Sequence, residues 1–171
     1  TLNPKRNYLL VAVVQSCSRA VARRGSAIVS RVGQRVWSEN VKAIQVDQPG
    51  GPEQLKVVEI PTPKPGPKDA LVRIAASGVN FLDVYFRKGL YKADLPFTPG
   101  SEAAGTVEAV GSDVTEVAPG DRVAYAMVRG SYAEYAVVAA AQLVKIPAGV
   151  EFETAAAVMV QGMTAHYLTH S

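Results

Sequence analysis

Cysteine is nearly absent: Cys17 is the only one in 171 residues, and the two histidines, His166 and His170, both stand near one end. A lone thiol excludes an internal disulfide framework and any zinc site built from several cysteines. No uninterrupted apolar run reaches the length of a membrane-spanning helix. Acid is missing from residues 1–38, which carry Lys5, Arg6, Arg19, Arg23, Arg24, Arg31 and Arg35. The remaining residues hold 11 basic and 15 acidic side chains, so the net charge of +3 belongs to the leading segment and hides an acidic remainder. That asymmetry argues against nucleic-acid binding by the folded part of the chain, and no membrane association is expected of it.

The leading segment is therefore set apart as residues 1–40. Arginine-rich, serine-containing and acid-free, it has the composition of a mitochondrial transit peptide. An alternative is an upstream extension with no part in the working protein, since the chain begins with Thr1. Leu9 to Val14 behind Lys5-Arg6 would make a short secretory core, but the arginines that follow fit that poorly. A cytoplasmic and a mitochondrial location both stay open.

The rest suffices for one ordinary domain with a real core. Strand-type residues broken by frequent Gly and Pro predict a mostly β fold with short helices, α+β in class. Strands are expected at 41–46 and 55–60, joined through Pro49-Gly50-Gly51-Pro52, and at 70–76. Pro61 to Pro67 is too proline-rich for a central strand and reads as an extended connection. Asn80, a good N-cap, opens a short helix through Phe86, whose apolar face would be Phe81, Leu82, Tyr85 and Phe86. Further strands are expected at 131–139 and 142–146, and a helix from Glu151 to about Thr169. That helix is apolar on nearly every side, so it needs cover all round. Left bare, it would make the chain prone to self-association.

Between these lies Pro99 to Tyr125, PGSEAAGTVEAVGSDVTEVAPGDRVAY, two strands between glycine-marked bends. Gly105 falls inside the first of them, where a missing side chain marks a bulge or the close approach of another backbone. Gly100, Glu102, Gly105, Gly111 and Val114 match the G-x-E-x-x-G-x5-G-x2-V pattern of medium-chain dehydrogenases and reductases, and Gly78 to Asp83 and Pro119 to Val123 support it. From Lys42 to about Thr169 the chain resembles the zinc-free quinone oxidoreductases of that superfamily, the zeta-crystallin type. The resemblance implies a GroES-like, partly open β-barrel over residues 41–149 as the catalytic domain, and the start of an interdomain helix over 150–171. The Rossmann domain that should follow is missing, for no glycine fingerprint follows a strand. The chain reads as a catalytic half, and inactivity of this half alone is expected.

Zinc enzymes of the superfamily place metal ligands where this chain has Asn80 and Ser101, so no catalytic metal is expected. His166 and His170 lie four apart without an acidic partner and make a poor metal site. Without a metal Lewis acid the hydride acceptor must already be reactive, a quinone or an α,β-unsaturated carbonyl. The resemblance implies NADPH as the donor, with Asn80, Phe81, Leu82 and Thr164 on the cofactor side. It implies Tyr85 and Tyr91 as the substrate-binding pair, and Tyr85 and Asn80 as catalytic residues. Intact relatives are expected to be homo-oligomers. Blander roles stay open: Asn80 as a helix cap only, Tyr85 and Tyr91 as ordinary core or rim aromatics, Glu102 as a buried carboxylate paired with Arg87 or Arg122. A non-catalytic binding or regulatory module, or an inactive truncated product, is the alternative function.

Overall fold

The computed structural model describes residues 39–170; the expectations for the leading segment lie outside them. Strands β1 (Asn40–Gln45) and β2 (Lys56–Pro61) form an antiparallel hairpin with Val41 opposite Ile60. Val41 and Ala43 are buried while Asn40 and Lys42 are exposed, the alternation a half-covered strand requires. A second, five-stranded sheet contains β3 (Asp69–Ser77), β4 (Glu102–Val110), β5 (Arg122–Ala126), β6 (Tyr135–Ala139) and β7 (Val144–Lys145). Its order is β6-β3-β4-β5-β7, every neighbouring pair antiparallel. The two sheets do not close into one, and the hairpin is tied to the remainder by bridges from Ala43 to Ala133 and from Val46 to Phe97.

The strand expected over 131–139 begins only at Tyr135. The backbone before it turns the other way: the Gly130 amide donates to the Gly100 carbonyl and the Tyr132 amide to the Pro99 carbonyl, both at 3.0 Å. The strand expected over 142–146 shortens to two residues behind a single 3-10 turn, Ala140–Gln142. Helices α1 (Phe81–Arg87) and α2 (Phe152–His170) fall within a residue of expectation.

Period-two alternation along β4 divides its residues between two environments. Ala103 and Val107 join Val72, Val123, Tyr125 and Val138 in the larger core. Ala104 faces the other way and meets Ala76, Ala124, and Ala155 and Ala156 of α2. Five alanines at this contact let helix and sheet approach closely. Arg122, two residues before Ala124, steadies the start of α2: its guanidinium lies 4.4 Å from the Phe152 ring centre and donates to the Val150 carbonyl at 2.6 Å. Glu102, two residues before Ala104, therefore points to the same side, toward α2. At Gly105 the register with β3 slips, because Ile74 pairs with Gly105 but Ala76 with Ala104, which leaves Ala75 as the extra residue of a bulge. A Cβ on Gly105 would overlap the Arg73 carbonyl, so the backbone approach read from the sequence is real and the bulge sits on the opposite strand.

Candidate functional site

The site is built where α1 begins, between the ends of β3 and β4 and the middle of α2. Asn80 is the N-cap of α1 in extended conformation, and the Asp83 carboxylate returns to its backbone amide at 2.9 Å. The Asn80 side chain is held from both ends. Its Nδ2 donates to Glu102 Oε1 at 2.9 Å, and its Oδ1 accepts from Gln161 Nε2 at 2.9 Å. Glu102 is fully buried, and its other oxygen, Oε2, accepts from the backbone amide of Val160 at 2.7 Å. The partner expected for Glu102 was Arg87 or Arg122; the structure corrects this. Arg87 bonds the Gly50 carbonyl and Arg122 the Val150 carbonyl, while Glu102 satisfies both oxygens with amide donors. Gly78 makes room for it, since a Cβ there would overlap Glu102 Oε1.

A second buried carboxylate lies beside the first. Asp83 accepts from Ser101 Oγ at 2.6 Å through Oδ1 and from the Tyr132 hydroxyl at 3.1 Å through Oδ2. Burial, with the Asp83 carboxylate next to it, pushes the Tyr132 phenol well above the usual tyrosine range, so this hydroxyl stays a donor at all physiological pH. Ser77 Oγ donates to the Glu102 carbonyl at 3.0 Å and shares a 2.7 Å bond with Ser131 Oγ. Asn80 and Ser101 are thus both committed to carboxylates, Glu102 and Asp83 in turn. Among the described residues no three His, Cys, Asp or Glu side chains come together to hold a metal ion.

The apolar face expected of α1 is not its buried face. Asp83 is the buried residue of the helix, whereas Phe81 is 80 % exposed, Tyr85 lies open and Leu82 is half-buried. Phe81 and Tyr85, four apart, line one side of the helix. Tyr85 and Tyr91 meet edge to face, ring centres 5.6 Å apart at 72°, and Tyr91 meets Phe86 in the same way. Tyr91 also lines an open groove of about 370 Å³ with Phe86, Lys92, Leu95, Phe97 and Arg129; Tyr85 and Asn80 do not line it. The Arg129 guanidinium sits 4.5 Å from the Phe86 ring centre. Thr164 stands one turn beyond Val160 on α2, exposed, its hydroxyl donating to the Val160 carbonyl at 2.7 Å.

The structure thus joins Asn80 to Glu102, Val160 and Gln161, and joins Tyr85 to Tyr91. Asp83, Tyr132 and Gln161 are members that sequence reasoning missed. For Asp83 a signal existed: an acid three residues after an Asn N-cap is placed to return to the cap. Nothing local signals Gln161, which reaches Asn80 from a helix 81 residues away. His166 and His170 stack with ring centres 4.5 Å apart at the exposed end of α2.

Residues 66–148 match the alcohol dehydrogenase GroES-like domain. Over 129 residues the chain is 51 % identical to the quinone oxidoreductase of Pseudomonas aeruginosa, an alignment covering 74 % of this chain and 40 % of that protein. The fold is similar to that of the Pseudomonas syringae pv. tomato quinone oxidoreductase, with TM-score 0.75 and 47 % identity over 77 % of this chain and 41 % of that one. It is also similar to Escherichia coli quinone oxidoreductase solved with NADPH, with TM-score 0.74 and 39 % identity over 76 % and 40 % of the two chains. The chain spans about two fifths of the length of the curated relatives it matches.

Proposed function

We propose, on the premise that this chain carries a GroES-like domain and belongs to the quinone oxidoreductases of the medium-chain dehydrogenase and reductase superfamily, that it supplies the acceptor-side wall for NADPH-dependent reduction of quinones or α,β-unsaturated carbonyls. The observation that carries the reading is the held amide of Asn80. One of its N–H groups is engaged by Glu102 and its oxygen by Gln161, which leaves the second N–H for a carbonyl oxygen in the cleft. As hydride reaches a ring or β carbon, negative charge gathers on that oxygen. A preoriented donor there lowers the barrier because it need not reorganise. Tyr85 and Tyr91 offer flat apolar faces tipped with hydroxyls, suited to a planar acceptor. Protonation of that oxygen, from the Tyr85 hydroxyl or from solvent, gives an enol that tautomerises to the saturated carbonyl or, from a quinone, to the hydroquinone.

The residues fit one end of the implied cofactor. Gln161 holds the Asn80 oxygen through Nε2, and its own Oε1 is buried without a hydrogen-bond partner among the described residues. An unpartnered acceptor on Gln161 and a remaining N–H on Asn80 would suit a carboxamide such as that of nicotinamide; Phe81 and Leu82 follow Asn80 on α1, and Thr164 follows Gln161 on α2. NADPH supplies the hydride when bound. Its phosphates need another anchor: α2 is preceded by Pro147-Ala148-Gly149, not by a glycine-rich loop after a strand.

A second reading, a binding module without catalysis, draws on α2, where Met163, Tyr167 and Leu168 lie exposed. Joining residues 39–170 to the cofactor-binding part of the Pseudomonas aeruginosa relative separates the two. NADPH oxidation by this hybrid in the presence of a quinone or an enone supports the reductase. A hybrid that binds NADPH and reduces neither class of acceptor refutes it in favour of the module.

A further inference from the structure

We propose that Glu102 is a positioning residue that decides which way the Asn80 amide faces and locks that orientation to helix α2. The proposal rests on the role given to Asn80 above. A side-chain amide can sit in either of two orientations that exchange its oxygen and nitrogen, and the two fill the same space. Here the choice is forced. Both Glu102 oxygens meet N–H donors, one from Asn80 and one from the Val160 backbone. With a carboxylate on one side, Asn80 must turn its nitrogen toward it and its oxygen toward Gln161. The chain of consequence runs Glu102, Asn80, Gln161, and its last atom is Gln161 Oε1, the buried acceptor left without a partner. Gly78 leaves the carboxylate room and is bound to the same strand, its amide donating to the Glu102 carbonyl at 3.2 Å.

The unusual anchor is the Val160 amide. It lies in the middle of α2, and a backbone amide cannot reverse itself as a side-chain amide can. This asymmetry predicts what Glu102→Gln does. The new amide has one acceptor for two donors. Its oxygen stays with Val160, because the backbone cannot adapt, and its nitrogen turns toward Asn80. Asn80 then reverses, offering oxygen to the substituted side chain and nitrogen to Gln161, and Gln161 reverses in turn to accept through Oε1. No hydrogen bond is lost, yet the donor offered to the cleft becomes an acceptor on the wrong side.

The experiment is side-chain amide NMR on the full chain carrying Glu102→Gln, beside thermal unfolding. In the wild type the Asn80 NH2 protons should show nuclear Overhauser contacts to the Glu102 side-chain methylenes. In the variant these contacts should move to the Gln161 methylenes, with Tm changed by only a few degrees. Unmoved Asn80 contacts in a folded variant overturn the proposal. Should Glu102→Gln fail to fold, Gln161→Leu decides. Asn80 should keep its wild-type contacts there because Glu102 alone sets them, and loss of orientation assigns the role to Gln161 and overturns the proposal. In the hybrid enzyme, Glu102→Gln should lower kcat/KM for the quinone about as much as Asn80→Ala does. An amide that reverses while turnover is unchanged upholds the positioning and refutes the role of Asn80 in reduction, so the two readings fail separately.

Discussion

Asp83 buries a carboxyl group in a helix whose other residues are exposed or half-buried, and its three donors are what make that tolerable. They are Ser101 Oγ at 2.6 Å, the Asn80 amide at 2.9 Å and the Tyr132 hydroxyl at 3.1 Å. Removing a partner from a buried carboxylate costs on the order of 1.5–3 kcal/mol, and the shorter bond should cost more. Ser101→Ala is therefore expected to destabilise the domain by about 2–3 kcal/mol and Tyr132→Phe by about 1–2 kcal/mol, read by urea unfolding. The reverse order, or no loss in either variant, contradicts this account of the network. Residue by residue, the sequence showed which side chains carry chemistry better than it showed their partners. Asn80 is legible as a cap because capping is local. Glu102 is legible as a buried acid from its alanine and glycine neighbours. Its partners are not, since one comes from a helix N-cap and the other from a backbone amide 58 residues away.

At the scale of elements, the glycines split into those that the packing requires and those it does not. Gly105 faces the Arg73 carbonyl across the β3–β4 ladder, with no room for a Cβ, and backbone on both strands would have to move. Gly162 lies in α2 with ordinary helical φ, and a Cβ there would meet only the Val158 Cβ at 3.5 Å. Gly105→Ala should thus destabilise by roughly 2 kcal/mol or more. Gly162→Ala should stabilise by about 0.5–1 kcal/mol, as alanine replaces glycine inside a helix. Paired thermal melts check both, and a stabilising Gly105→Ala would sink the close-approach argument. Strand and helix positions were largely legible, because alternation, proline placement and caps are short-range signals. The ends that slipped, at residues 131–134 and 142–146, are where the backbone bonds to a distant turn or closes a 3-10 turn instead of extending the ladder. The face of α1 was misread for a related reason: its aromatics suggest a core, but the buried contact is polar and comes from Ser101, just before β4, and Tyr132, in the chain before β6.

At the scale of the whole molecule, α2 packs on β3, β4 and β5 of the five-stranded sheet through a contact of alanines, with Glu102 beside it. Helix α2 is covered only along its first turns. Beyond Gln161 its side chains are exposed, including Met163, Tyr167 and Leu168. The all-round apolarity of the sequence foretold a helix wanting more cover than one barrel gives. Among the described residues no helix is long and apolar enough to cross a membrane. In the proposed reading this domain is one wall of a cleft, with Asn80 set where the five-stranded sheet meets α2. The claim is tested most directly by steady-state kinetics of the hybrid enzyme with Asn80→Ala, a quinone as acceptor and NADPH as donor. The account predicts a fall in kcat/KM of about 100-fold, the loss typical of one preoriented donor to a developing oxyanion, in a variant that stays folded at the assay temperature although its Tm falls with the lost cap and the lost Glu102 partner. Unchanged kcat/KM in a folded variant would contradict it.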